Sequence, residues 1–313
     1  MASPPRFPLI DAPSPLHALP RFSAALGGRV EVWAKREDLL PLAFGGNKLR
    51  NLEFLVGAAL ADGCDTLVTS GRRWSNHARL TAAAGARAGL GVHVVLSGPQ
   101  VEPPGPGIRI TRSLGATVHL LDGADRDERE AAITRVAHEV TAGGGRPYVI
   151  GVGGSGAVGA YGQLITAREL VAQAAEAGLA IDRVVLPTAT GGTQAGLLAG
   201  LQRSIAVTGV VVARSAAELQ PSIAATVAEL GGAADVTIQL DEAHIGDGYG
   251  RPTAEAGEAA GILGRTEAIL VDPIYTAKAL AALIAGIRSG AWDGERVVFW
   301  HAGGLLGLFE SLD

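Results

Sequence analysis

One cysteine, Cys64, stands among 313 residues, and aromatic side chains are scarce, at four Trp, four Tyr and six Phe. A single thiol can form neither an intrachain disulfide nor a cysteine-based metal cluster, and it gives no reason to place the chain in an oxidising compartment. Positive charge is not in excess either, since 26 Lys+Arg against 31 Asp+Glu leave a net −5 with histidine neutral. Without a basic tract or interleaved aromatics, no nucleic-acid surface is expected. No run of about 18 apolar residues offers a membrane span. The opening MASPPRFPLIDAPSPL lacks the charged and apolar regions of a signal peptide, so the cytoplasm is the expected location. The seven histidines, His77, His244 and His301 among them, lack ligand spacing, so no metal is expected and each reads as a packing or loop residue.

Glycine is abundant: 44 residues, about twice the usual share of roughly 7%. At about 150 residues per domain the length suggests roughly two domains. Short β-branched runs alternate with Ala/Leu-rich helical stretches, the pattern of parallel βαβ units. Strands are predicted at Asp65–Ser70, Gly91–Ser97, Thr117–Leu121 and Pro147–Ile150. After a helical stretch Ala160–Ala177, further strands are predicted at Arg183–Pro187, Thr208–Arg214, Asp235–Leu240, Ala268–Val271 and Arg296–Trp300. Val30–Arg36 precedes the first group without a partner in it, which places the amino-terminal segment with the second, larger sheet. The expected organisation is a small α/β domain, residues 51–163, inserted into a large one, residues 1–50 and 164–313.

Three segments carry chemistry. In Phe44-Gly45-Gly46-Asn47-Lys48-Leu49-Arg50 a lysine follows paired glycines at the start of the predicted helix Leu49–Ala61. Desolvation there would lower its pKa, and a neutral amine is what Schiff-base chemistry needs. On Gly-Gly-Asn-Lys alone, a surface lysine is the commoner reading. In Thr188-Ala189-Thr190-Gly191-Gly192-Thr193-Gln194-Ala195-Gly196, between a strand and a helix, backbone N–H groups, hydroxyls and the helix dipole suit an anion. No Gly-Lys-Ser/Thr ending follows, so a monophosphate fits better than ATP; a tight turn without a ligand is the alternative. Gly151-Val152-Gly153-Gly154-Ser155-Gly156 formally matches a dinucleotide fingerprint. The acidic residue required about 20 positions on, at the end of the next strand, is missing, so the segment reads as a site-lining loop.

These motifs share one order with others: Lys35-Arg36-Glu37-Asp38-Leu39, Phe44-Gly45-Gly46-Asn47-Lys48, Ser75-Asn76-His77, Gly153-Gly154-Ser155, Gly191-Gly192-Thr193, Gly248-Tyr249-Gly250, Asp272-Pro273-Ile274-Tyr275-Thr276 and His301-Ala302-Gly303-Gly304. In that order the chain resembles the pyridoxal-phosphate-dependent family of 1-aminocyclopropane-1-carboxylate deaminase and D-cysteine desulfhydrase, of the tryptophan synthase β-subunit-like type (fold type II). The resemblance runs from Pro13-Ser14-Pro15-Leu16 to Gly303-Gly304. It implies a two-domain open parallel-sheet α/β fold with the small domain inserted, pyridoxal 5'-phosphate as cofactor, a small amino acid as substrate, and a homodimer. It implies that Lys48 holds the cofactor as a Schiff base and moves protons, that Asn76 bonds the ring hydroxyl, and that Thr188, Thr190, Gly191, Gly192 and Thr193 cradle the phosphate. Ser75, Tyr249 and Tyr275 are the other implied catalytic residues, and Trp74, Ser75, Asn76 and His77 border the substrate. The implied reaction removes the α-proton and a β-leaving group, ending in pyruvate and ammonia. Ser75 and Tyr275 also read as helix caps.

Departures from the family bear on the substrate. Thr276 stands where the cyclopropane deaminases carry glutamate, as in the desulfhydrase-like branch. A neutral hydroxyl near the pyridine nitrogen favours β-elimination over ring opening. Ala302 replaces a threonine, Trp74 a glutamine, Asn51 a basic residue near the phosphate, and Gly156 an asparagine, and these changes are expected to cluster around the pocket. Arg72 or Arg73 is expected to pair with an anionic group of the substrate, cysteate standing beside D-cysteine as a candidate, unless both are solvated loop arginines. Ring opening, β-replacement in a biosynthetic route, and a non-catalytic cofactor-binding protein are the other readings. The glycines at 45–46, 151–156, 191–192, 246–250 and 303–304 are expected to line one cleft, where the backbone approaches a flat phosphorylated ring.

Overall fold

The computed structural model describes residues 2–99, 102–123, 126–233 and 235–310. The chain opens with β1 (Leu16–Ala18), α1 (Pro20–Ala25) and β2 (Glu31–Arg36). A βα run follows: α2 (Lys48–Ala61), β3 (Thr66–Arg72), α3 (Asn76–Ala88), β4 (Gly91–Ser97), α4 (Pro106–Ser113), β5 (Thr117–Leu121), α5 (Arg126–Ala142) and β6 (Pro147–Val149). Then come α6 (Ala157–Glu176), β7 (Arg183–Thr188), α7 (Gly192–Gly200), β8 (Ala206–Val211), α8 (Ala216–Glu229), β9 (Gln239–Asp241), α9 (Ala254–Glu267), α10 (Thr276–Arg288) and β10 (Arg296–His301).

Among the described residues these strands build two sheets. The six-stranded sheet has the order β1-β2-β10-β7-β8-β9 and is parallel except for β1 against β2. The four-stranded sheet, β5-β4-β3-β6, is wholly parallel. All four of its strands fall between β2 and β7 in sequence, so the smaller unit is inserted into the larger. The strand without a local partner, β2, pairs with β10 from Glu31 opposite Arg296 to Arg36 opposite His301.

Parallel sheets need both faces covered, which is why their strands are apolar on both sides. In β3, Leu67 packs with Leu52, Leu80 and Val94 under α2 and α3, while Val68 faces Val95 and the α5 residues Ala132, Ile133 and Val136. In the larger sheet Val185, Val210 and Phe299 meet Leu280 and Ile284 of α10. On its other face Leu186, Val298 and Trp300 meet Leu170 of α6 and Leu197 of α7. Each fully buried aliphatic side chain contributes roughly 1.5–3 kcal/mol.

Beneath the start of α2 lies a buried ionic cluster. Lys35 Nζ donates to Ser14 O at 2.7 Å, Glu169 Oε1 at 2.5 Å and Gln173 Oε1 at 2.7 Å. Arg50 donates to Glu37 at 3.0 Å and to Glu169 at 2.8 and 2.9 Å. The charged run of residues 35–38 thus joins β2, α2 and α6.

One predicted strand does not form. Over 268–271, Ala268 ends α9 in the left-handed conformation (φ 55°), Leu270 is exposed, and its carbonyl accepts from His301 Nε2 at 2.7 Å. That carbonyl therefore serves a side chain and not a strand ladder. Residues 235–240 yield only β9, and β8 stops at Val211 where Thr208–Arg214 was predicted.

Candidate active site

The C-terminal ends of β3, β7 and β10 and the first residues of α2, α3 and α7 line one cavity of about 350 Å³. This is where parallel α/β sheets place ligands, because strand ends and helix N-termini converge there.

Lys48, the first residue of α2, lines this cavity. Burial brings its amine down to about 8, with no charged or hydrogen-bonding neighbour offsetting the loss of hydration. Three contacts hold the α2 start. Asn47 N–H donates to Ala302 O at 2.9 Å, Asn47 Nδ2 donates to Thr193 Oγ1 at 2.9 Å, and Gln163 Nε2 donates to Asn47 O at 2.8 Å. Two backbones meet beside it: Gly303 has φ 98°, and a Cβ there would lie 2.6 Å from Gly46 Cα. Only glycine permits both that approach and that conformation.

On the same cavity α7 begins at Gly191 (φ 84°) without any side-chain cap. Its first-turn N–H groups lack helical acceptors and carry the positive end of the dipole. Thr190, Gly191 and Thr193 line the cavity here; Thr193 Oγ1 accepts from Asn47, leaving its own proton to donate. Thr188 also lines it, but its hydroxyl donates to Gln194 Oε1 at 3.0 Å. Gly192 stands behind the wall, where a Cβ would lie 2.7 Å from Ser155 Cα.

Ser75 caps α3, its Oγ accepting from Ala78 N–H at 3.2 Å, and it lines the cavity as well; the cap and the site reading hold together. Asn76 Oδ1 accepts from Arg79 at 3.0 Å. His77 faces Thr69 Oγ1 at 3.0 Å, and Thr69 gives its single proton to Ile150 O at 2.9 Å. His77, which lines the cavity, therefore carries its proton on Nε2, leaving Nδ1 a buried acceptor without a hydrogen-bond partner among the described residues. Burial and then the Lys48 charge push His77 down to about 3, so it stays neutral. The Tyr249 and Tyr275 hydroxyls meet at 2.5 Å on the same cavity, both pKa values raised, chiefly by burial. Tyr275 opens α10, but the cap comes from Asp272, whose carboxylate accepts from the N–H groups of Ile274, Tyr275 and Thr276.

Several sequence expectations meet a different placement. Trp74 is not part of the cavity wall; its ring lies tilted behind Tyr249 at 6.0 Å between ring centroids, and its Nε1–H lies near Tyr249 without reaching an acceptor at hydrogen-bonding geometry. Thr276 is fully buried away from the wall, donating to Asp272 Oδ1 at 2.5 Å. Asn51 does not face the cavity; it is buried, donates to Gly154 O and accepts from Gln163. Arg72 lines the cavity, whereas Arg73 turns away and donates to Gly98 O at 2.7 Å. Of the glycine-rich segments, Gly46, Gly153, Gly191 and Gly303 reach the cavity, and the segment 246–250 contributes Tyr249. Sequence reading missed Arg126, Arg129 and Arg214 on the wall. It also missed buried Lys278, whose Nζ donates to Ile245 O at 2.6 Å and Gly248 O at 3.1 Å and so holds the loop carrying Tyr249. Helical and loop arginines are commonplace, and no local pattern marks them.

A desolvated, unpaired lysine amine facing an uncapped helix start in one cavity defines a site for a phosphorylated aldehyde. The donor set fits that group, with a nucleophilic amine at one end and N–H groups and a free hydroxyl at the other. The chain belongs to the pyridoxal-phosphate dependent enzymes, a family that matches residues 8–303. It is 40% identical over 318 residues to a D-cysteine desulfhydrase of Salmonella typhi, spanning 97% of this chain and 95% of that protein. The crystal structure of an ACC deaminase homologue superposes with a TM-score of 0.91 at 33% identity, covering 98% of this chain and 94% of the other. No helix of the described residues is long and apolar enough to cross a membrane.

Proposed function

We propose that this pyridoxal-phosphate-dependent enzyme eliminates the β-substituent of D-cysteine or a related β-substituted amino acid, giving pyruvate and ammonia, as a homodimer in the cytoplasm. The observation that carries this reading is the unpaired Lys48 amine, at about 8, sharing one cavity with the α7 anion cup and the Tyr249–Tyr275 pair. The name of the Salmonella typhi relative supports the substrate. The large domain in this reading is residues 1–50 and 164–313, and the small one 51–163.

When bound, the cofactor supplies an electron sink for the pair released from the substrate Cα–H bond. Lys48 holds it, and Lys48 Nζ takes the α-proton, a task suited to an amine whose pKa lies near neutral pH. Thr190, Gly191 and Thr193 hold the phosphate, with Thr188 and Gly192 shaping the cup. Asn76 bonds the ring hydroxyl, and Ser75 orients the substrate carboxylate. The Tyr249 and Tyr275 hydroxyls, both protonated, hydrogen-bond to each other on the leaving-group side. His77 borders the substrate as a neutral acceptor. Trp74 and Thr276 act from behind the wall, Trp74 by backing Tyr249 and Thr276 by fixing Asp272 at the start of α10.

The ACC deaminase homologue supports ring opening as the second reading. Product analysis separates the two: D-cysteine or cysteate gives pyruvate, and 1-aminocyclopropane-1-carboxylate gives 2-oxobutyrate. The cofactor-loaded protein is expected to absorb in the visible through its lysine linkage. Lys48→Ala should lose both that band and turnover; a variant that keeps either one overturns the assignment of Lys48.

A further inference from the structure

Four arginines, Arg72, Arg126, Arg129 and Arg214, line the cavity against one acid, Glu218. Two of these groups are already engaged: Arg126 donates to Glu130 at 2.9 Å, and the Glu218 carboxylate accepts from Ser215 N–H at 3.0 Å and Ser215 Oγ at 2.8 Å. Arg72 and Arg129 are different. Arg72 lies 6.0 Å from the Trp74 ring centroid and makes no ion pair with a described carboxylate. Arg129 gives Nη1 to Ser97 Oγ at 3.1 Å, while its buried Nε finds no partner. Each lies within electrostatic reach of the other and of Tyr249; burial and then the Arg72 charge pull the Arg129 pKa down. Two like charges share this wall, with Glu130 also in electrostatic reach of Arg129, and the positive charge there suits an anion between them.

We infer that Arg72 and Arg129 form a subsite for a negatively charged β-substituent of the substrate that can leave with the bonding pair, a sulfonate or a phosphate, beside the Tyr249–Tyr275 pair. The subsite rests on the β-elimination reading above for its role in turnover. In that reaction the Cα–H proton passes to Lys48 Nζ and its electron pair becomes the Cα–Cβ double bond. The Cβ–X bond breaks with X leaving as an anion that keeps the bonding pair. Water then converts the released enamine to pyruvate and ammonia. Guanidinium groups that hold X before cleavage also stabilise the charge it carries away.

Calorimetric titration of the cofactor-loaded protein with α-methylaspartate tests the subsite, because this ligand carries a β-carboxylate and has no α-hydrogen to lose; α-methylserine is its neutral counterpart. The wild type should bind α-methylaspartate at least about tenfold more tightly, a preference that Arg72→Gln and Arg129→Gln each remove and Arg72→Lys keeps. Equal affinities in the wild type, or a preference that survives both glutamine variants, overturns the subsite. Pyruvate release from β-chloroalanine tests the elimination reading separately. If that release is missing while the binding preference holds, the subsite stands and the elimination reading falls.

Discussion

At the scale of single residues, the cavity holds one amine kept short of hydration. Lys48 has an ordinary lysine side chain, and its descent to about 8 comes from burial alone. Since the neutral form attacks an aldehyde, uptake of pyridoxal phosphate by the cofactor-free protein should speed up as pH rises from 6 to 8 and level off above about 8. A free surface lysine would keep accelerating to about 10.4. Stopped-flow absorbance across that pH range measures the midpoint, and a midpoint near 10 would contradict the burial described here. That Lys48 borders the cavity was legible in the sequence, from its place in an ordered set of motifs. That His77 is a bare acceptor was not, because its tautomer depends on Thr69 and Ile150, eight residues back and 73 ahead in the chain.

At the scale of elements, the site depends on where strand ends meet helix starts. The βα alternation was readable because two-sided burial forces apolar strands and the intervening helices carry their own period. The stretch 268–271 looked equally strand-like, yet its backbone serves His301 and an α9 terminus. Composition cannot reveal which neighbour claims a carbonyl. The junction of β10 with α2 is a close backbone approach, where Gly303 lies against Gly46. Gly303→Ala adds a Cβ into that contact at a positive φ, so it should cost at least about 2 kcal/mol in chemical denaturation and weaken cofactor retention. An alanine variant as stable as the wild type would show that the two segments separate freely.

At the scale of the whole molecule, chain segments far apart in sequence are joined by buried polar groups as well as by apolar packing. Glu169 of α6 links Lys35 of β2 and Arg50 of α2. Burial by itself raises the Glu169 carboxyl, but Arg50 and Lys35 outweigh it, so its folded pKa lies below the ordinary value of 4.5. A carboxyl depressed on folding contributes stability above its unfolded pKa and loses it as pH falls through the folded one. Glu169→Gln should therefore cost about 3 kcal/mol near pH 7, because Lys35 loses its hydrogen-bonded carboxylate and Arg50 keeps only Glu37. The gap should narrow as pH drops below about 4.5. Denaturation of both proteins at pH 7 and pH 4 measures it; a constant gap would mean that the cluster does not titrate.

By itself the sequence determined the α/β class, the insertion of one parallel unit into another, the cofactor family and the segments bordering the cavity. All of these are carried by periodicity and by ordered short motifs. Only the tertiary structure decided which side chains face the cavity: Arg72 and not Arg73, Tyr249 and not Trp74, and Thr193 with its proton free while Thr188 and Thr276 have spent theirs. The reason is physical. A side chain's direction and the destination of its one proton are set by partners distant in sequence, and Arg129 reaches this wall only because α5 packs against β3 and β4.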